Sequence, residues 1–293
     1  MPVNLTSNGL IMANSPELAS GLLPGDVAVT LKGEARLIAV VGVGVFVALS
    51  IALIIALGPG MAMGWLLIAL ACWGFVLWQC YRRLHLNRRG DTGAYYPRLG
   101  HGNRVTLFRG WLIAATAGFL ITGFGGVGFV EVAFGDMPPG LFYVPAAFYT
   151  LAAAGDWLDG YMARRQQQTT QLGMELDTVL DAFGLLMAPL LAVLAGKLHI
   201  SYLLVSVAYY LFQWGISWRQ RQGRHVFPLP PSRLRRYLAG TQMALVSIAL
   251  WPFVPAGLSV GFGIALMIPL LVGFCRDWLH VSGRLGTGRE RSA

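Results

Sequence analysis

The chain has 293 residues, 56% of them hydrophobic and only 12% charged, and its mean hydropathy of +0.60 excludes a soluble domain of this length in favour of an integral membrane protein. Its net charge of +9 and pI of 9.9 come from 22 Lys and Arg against 13 Asp and Glu, but these charges are distributed as a membrane topology signal rather than as a nucleic-acid surface. Three cysteines, Cys72, Cys80 and Cys275, are odd in number and lack metal-ligand spacing, which excludes a disulfide framework and a zinc site.

Residues 1–36 form a polar arm containing Pro16 and Pro24, with no basic start leading into a short apolar core and cleavage site, so no cleaved signal peptide is expected. Apolar runs at 37–57 and 62–80 then predict a two-span hairpin over 37–81, free of buried charge. A basic cytoplasmic loop occupies 82–102. Six further runs follow, at 106–124, 141–156, 177–195, 200–217, 239–256 and 258–275, within a core of 103–285, before a basic tail at 286–293. Each run approaches the length needed to cross ~30 Å of hydrocarbon as a helix, and each is apolar on all faces rather than alternating. The expected fold is therefore an all-α polytopic membrane bundle of eight spans.

Basic residues flanking spans stay on the cytoplasmic side. With both termini cytoplasmic, 21 of the 22 basic residues fall on that face and Lys197 alone lies outside. Arg276 and Asp277, at the end of the last run, read as a cytoplasmic cap or as a buried pair supporting the cavity, the cap being preferred.

Four carboxylates break the apolar pattern. Asp156 and Asp159 end one predicted span, and Asp177 and Asp181 begin the next. Ionised carboxylates at a bilayer edge cost several kcal/mol each unless paired, hydrated or bound to cations, so four converging there mark a functional site. Residues three, four and seven apart share a helix face, which puts Asp156, Asp159, Gly160 and Ala163 on one stripe with Arg164 at its edge, and Gly173, Asp177 and Asp181 on another. The short polar connection between Arg164 and Gly173 makes the two helices antiparallel neighbours, so the stripes can face one cavity. Hard oxygen ligands suit Mg²⁺, Mn²⁺ or Ca²⁺. Small residues at such spacing ordinarily mean close helix packing; beside four acids, Gly160, Ala163 and Gly173 also leave room for a nucleotide.

The pattern D-x-x-D-G-x-x-A-R-x8-G-x3-D-x3-D, running from Asp156 to Asp181 without a gap, resembles the signature of the CDP-alcohol phosphatidyltransferases at all eight defining positions. Upstream, N-R-V-T-L-F-R from Asn103 to Arg109 is similar to the P-N-x-L-T-x-x-R entry of that family's first core helix, with His101 and Gly102 where proline is usual. The resemblance covers roughly residues 100–285 and leaves out the N-terminal hairpin. It implies transfer of a substituted phosphate from CDP-diacylglycerol, or a similar CDP-linked lipid, to an alcohol, with release of CMP at the cytoplasmic face. It further implies that Asp156, Asp159, Asp177 and Asp181 hold two ions, Mg²⁺ or Mn²⁺, and that Asp181 is the general base. Gly160, Ala163, Arg164 and Gly173 would hold the CDP portion, joined by Thr106 and Arg109. A homodimer is the family's usual assembly.

The acceptor is less defined. Arg219, Arg221, Arg224, Arg233, Arg235 and Arg236 fall within 18 residues, and guanidinium suits phosphate. Arg219, Arg233, Arg235 and Arg236 are accordingly candidates for holding a phosphorylated alcohol, either glycerol 3-phosphate or an inositol phosphate. The run from Pro231 to Met243 is similar to a segment of the glycerol-3-phosphate-using branch of the family that ends in Gln-Met, whereas Ala182 stands where that branch carries lysine. A reading of another class, a cation-coupled transporter, would place acids near mid-membrane in broken helices, commonly with a second copy in an inverted half. Here the acids cluster at one end and occur once.

Overall fold

The computed structural model describes residues 25–89, 93–121, 139–165, 170–229 and 232–284, and within them the side chains of 139, 157, 159–165, 233 and 236 are outside the description. Among the described residues the fold is helical, with only isolated bridges Arg88–Tyr95 and Arg89–Thr170. The helices are α1 (Gly25–Arg83), α2 (Gly100–Gly118), α3 (Tyr143–Arg165), α4 (Gln171–Leu194), α5 (Leu203–Arg221), α6 (Arg233–Ala249) and α7 (Ala256–Val281).

Helix α1 begins at Gly25, inside the stretch read as an arm, and buries Leu31 and Ala35 before the first apolar run starts. It breaks at Gly58, whose φ of 75° and ψ of 165° only glycine adopts readily, and Pro59 follows without an N–H to extend the first limb. The two limbs double back on each other. Ser50 Oγ donates to the Ala62 carbonyl at 3.1 Å and Trp73 Nε1 to the Ala39 carbonyl at 3.4 Å, pairings that only an antiparallel hairpin allows.

Two tryptophans fasten this hairpin to α2, and a third closes the hairpin itself. Trp65 Nε1 donates to the Ala115 carbonyl at 3.2 Å and Trp111 Nε1 to the Gly42 carbonyl at 3.1 Å. The Trp73 indole lies 2.9 Å from where a Gly42 Cβ would stand, so glycine there admits the ring. Each indole is buried with its N–H partnered, which is what makes so large a ring stable in this position. Glu34 adds a polar tie, accepting from the Leu99 amide at 3.1 Å and pairing with Arg104 at 3.3 Å.

Helix α2 is the centre of the bundle. Every residue from Arg109 to Gly118 is buried, and the run Ala114–Ala115–Thr116–Ala117–Gly118 is small because α1, α3 and α4 all approach it closely. This changes one expectation. Helices α3 and α4 touch each other little, because α2 lies between them, so the acidic stripes meet across a third helix.

Among the described residues, four helical stretches, Gly25–Leu86, Gln171–Leu194, Ile200–Arg221 and Ala256–Val281, are long and apolar enough to cross a membrane. Helices α2, α3 and α6 fall short by that measure: α2 carries Asn103, Arg104, Thr106 and Arg109, α3 carries Asp156 and Asp159, and α6 is only 17 residues long. On the far side from the acids, Lys197 Nζ donates to the carbonyls of Trp251, Pro252 and Val254 at 3.4, 3.2 and 2.6 Å, tying the α4–α5 connection to the end of α6. Inside the bundle the Tyr202 hydroxyl donates to Gln242 Oε1, whose Nε2 donates to the Leu266 carbonyl at 2.9 Å. Asp277, read from sequence as part of a cap or of a buried pair, joins α7 to α6 through Arg235 at 3.1 Å.

Candidate functional site

The site is built on three helices. Asp156 comes from α3, Asp177 and Asp181 from consecutive turns of α4, and Arg109 from α2. Helix α4 can start six residues before Asp177 because Thr170 caps it, its hydroxyl accepting from the Gly173 amide at 3.0 Å. Pro189, deeper in the same helix, lies away from the carboxylates.

Arg109 occupies the middle of the acidic group. Its side chain is 1% exposed, and its Nη1 donates to Asp177 Oδ1 at 2.5 Å while Nη2 donates to Asp181 Oδ1 at 2.7 Å and lies 3.2 Å from Asp156 Oδ1. Nε donates to the Ala152 carbonyl at 3.1 Å, one turn before Asp156. The arginine stem enters through Gly155, where a Cβ would lie 2.7 Å from Arg109 Cγ. A planar fork with donors on three sides is the group that can serve three carboxylates at once.

One oxygen from each of Asp156, Asp177 and Asp181 lies within 4.8 Å of the others. Among the described residues, three carboxylates face one guanidinium, a formal surplus of negative charge, and the acids are 39, 40 and 34% exposed, so they are reachable from one side. Converging hard oxygens with surplus negative charge fit a divalent cation that prefers oxygen ligands. Asp159, Gly160, Ala163 and Arg164 lie on α3, and by helical register Gly160 and Ala163 continue the Asp156 stripe; the side chains of these four are outside the described residues.

The remaining candidates separate. Thr106 is buried on α2 and its hydroxyl donates to the Gly102 carbonyl at 3.0 Å. The bare face of Gly173 is taken by neighbours, since a Cβ there would stand 2.6 Å from Asn103 Oδ1 and 3.2 Å from Thr170 Oγ1. Arg219 Nη2 donates to the His225 carbonyl at 2.9 Å and sits 3.4 Å from that of Ser282, while Arg235 is the partner of Asp277. Arg233 and Arg236 lie in α6, with side chains outside the described residues. Sequence patterning did not single out Gly155, Ala152 or Thr170. Of these only Thr170 carried a signal, a threonine three residues before Gly173 at the mouth of an apolar run.

Residues 101–275 match the sequence profile of the CDP-alcohol phosphatidyltransferase family. Curated relatives include CDP-diacylglycerol–glycerol-3-phosphate 3-phosphatidyltransferases of Pseudomonas fluorescens, 43% identical over 61 residues covering 18% of this chain and 31% of the relative, and of Sodalis glossinidius, 41% identical over 66 residues covering 20% and 35%. The enzyme of that name from Pectobacterium atrosepticum is 34% identical over 84 residues, 26% of this chain and 38% of its own length. The matched stretches thus span well under half of these relatives.

Proposed function

This chain belongs to the CDP-alcohol phosphatidyltransferase family, and from that membership we propose that it transfers a phosphatidyl group from CDP-diacylglycerol, or a similar CDP-linked lipid, to an alcohol with release of CMP. The observation that carries the reading is the convergence of Asp156, Asp177 and Asp181 on one buried arginine at the end of helices α3 and α4. Glycerol 3-phosphate is the leading acceptor, supported by the names of the similar proteins and by the arginines at the end of α5 and the start of α6; an inositol phosphate or another alcohol is the alternative within the family.

Asp156, Asp177 and Asp181, with Asp159 by register, would hold the divalent ions, whose chemistry is to neutralise the diphosphate and stabilise the departing CMP. Arg109 fixes the carboxylates against mutual repulsion and orients Asp181. Asp181 accepts the proton of the acceptor hydroxyl. The acceptor oxygen then bonds to the lipid-bearing phosphorus as the bond from that phosphorus to the CMP oxygen breaks, and the proton leaves Asp181 for solvent. The donor's acyl chains stay in the bilayer, which is why the site lies on membrane helices. Eight spans, with the two limbs of α1 counted separately and termini and site cytoplasmic, complete the arrangement, and the active form is a homodimer.

Helices α3 and α4 run unbroken through the acids, which favours this reading over a transporter. The test is a screen of purified protein with Mg²⁺ or Mn²⁺ and CDP-diacylglycerol against glycerol 3-phosphate, inositol phosphate, inositol, serine and choline. CMP release with glycerol 3-phosphate is expected, and no release with any of them contradicts the proposal.

A further inference from the structure

A second buried polar cluster lies toward the same end of the bundle as the carboxylates and joins three segments of chain. Asn87 follows the short helical turn Leu84–Leu86 and is fully buried. Its Nδ2 donates to the carbonyls of Tyr96 and Arg98 at 2.9 and 3.0 Å, and its Oδ1 accepts from Asn103 Nδ2 at 3.1 Å. Asn103 Oδ1 in turn accepts from the Thr170 hydroxyl at 3.2 Å, and that hydroxyl accepts from the Gly173 amide at 3.0 Å. Main-chain contacts run alongside, with the Gln171 amide donating to the Arg88 carbonyl at 3.1 Å and Arg88 Nε to Gln171 Oε1 at 2.8 Å.

Both ends of this relay reach the carboxylate helices. Asn103 stands six residues before Arg109 on α2, roughly 9 Å along the axis, and Gly173 stands four residues before Asp177 on α4, roughly 6 Å. The Arg109 contacts to Asp177 and Asp181 pin the two helices below; the relay pins them above. Asn87 lies outside residues 101–275, in the connection that follows the N-terminal hairpin. Each amide and hydroxyl in the relay is buried and partnered, so removing one member leaves the next with an unmet hydrogen bond rather than a water.

We propose that Asn87 is a positioning residue for the donor end of the site: from outside the family-matched core it holds Asn103, and through Thr170 the first turn of α4, so that Asp177, four residues beyond Gly173, keeps its place among the carboxylates that would hold the donor's diphosphate through a divalent ion. This rests on the transferase reading above. A tie serving stability alone would lower thermal stability or the amount of active enzyme without distinguishing donor from acceptor. A positioning role acts on the donor.

The experiment uses the full chain in nanodiscs and compares wild type with Asn87→Ala, Thr170→Val and the double variant, measuring KM for CDP-diacylglycerol, KM for the acceptor, kcat, and the Kd of CMP with Mg²⁺ present. Expected is a rise of roughly five- to tenfold in donor KM and CMP Kd for each single variant, the worth of about one buried hydrogen bond, with acceptor KM and kcat within about twofold of wild type. The double variant should lose little more than either single one, because both cut the same relay. Thr170→Val replaces a hydroxyl by a methyl of similar shape and carries the test alone if Asn87→Ala does not fold. Donor KM and CMP affinity unchanged in a folded variant overturn the positioning role, whatever the loss of thermal stability. Wild-type protein that neither binds nor releases CMP overturns the transferase reading itself, and this assignment with it.

Discussion

Replacing Arg109 should damage the site more than replacing any residue that only lines it. Removing one partner of a buried ion pair typically costs about 3–5 kcal/mol, because the other charge is stranded. Arg109 is 1% exposed, but its three carboxylates are 39, 40 and 34% exposed, so water takes over part of the stranded charge and the lower edge, about 3 kcal/mol, applies. Expressed against the transition state, that is a fall of about 10²-fold in kcat/KM. Arg109→Gln and Arg109→Ala should both show it. Arg109→Lys should recover little, since an ammonium cannot present the planar fork that meets Asp177, Asp181 and Asp156 while Nε holds the Ala152 carbonyl. The assay is CMP release at varied CDP-lipid, with thermal unfolding followed in parallel with and without Mg²⁺. In the variants the cation should recover part of the lost Tm, because bound charge replaces the missing guanidinium and binds only the folded state. Kinetics for Arg109→Ala within threefold of wild type would refute the reasoning.

Gly155→Ala tests the same arginine by crowding instead of charge. The new methyl would stand 2.7 Å from Arg109 Cγ and 3.1 Å from Cδ, a clash costing about 1–3 kcal/mol, and should lower both kcat/KM and Tm, whereas Gly257→Ala, with open space around it, should change neither. Lys197→Met removes the donor to three carbonyls on the far side of the bundle and should cost about 1–3 kcal/mol in thermal unfolding while leaving donor and acceptor KM untouched; a shift in either KM would contradict a purely architectural role.

The acidic stripes were legible because charge is so costly in apolar helices that its spacing carries the message alone, and Asp156, Asp177 and Asp181 do converge. The turn between the first two apolar runs was legible for a similar reason, since Gly58 and Pro59 leave a helix few ways to continue. What the chain did not announce is which helix stands between the acids. Arg109 opens the run Arg109–Gly118, which is buried on every side, so periodicity there marks no preferred face. Nor could pattern alone place Asn87 against Asn103, a contact between side chains 16 residues apart across a connection with no periodicity. The small residue at Gly173 was open to two readings, and its bare face is occupied by Asn103. The start of α4 at Gln171 rather than at the apolar run beginning with Asp177 follows from the Thr170 cap, a local hydrogen bond that hydropathy does not register.

The central claim, that the carboxylate group performs phosphatidyl transfer with Asp181 taking the acceptor proton, is tested most directly by comparing wild type with Asp181→Asn. CMP release from CDP-diacylglycerol in the presence of glycerol 3-phosphate and Mg²⁺ should be measured beside equilibrium binding of the CDP-lipid. The account predicts turnover by the wild type, its abolition in the variant, and CDP-lipid binding largely retained. Normal turnover by Asp181→Asn, or none by the wild type with any alcohol, would contradict it.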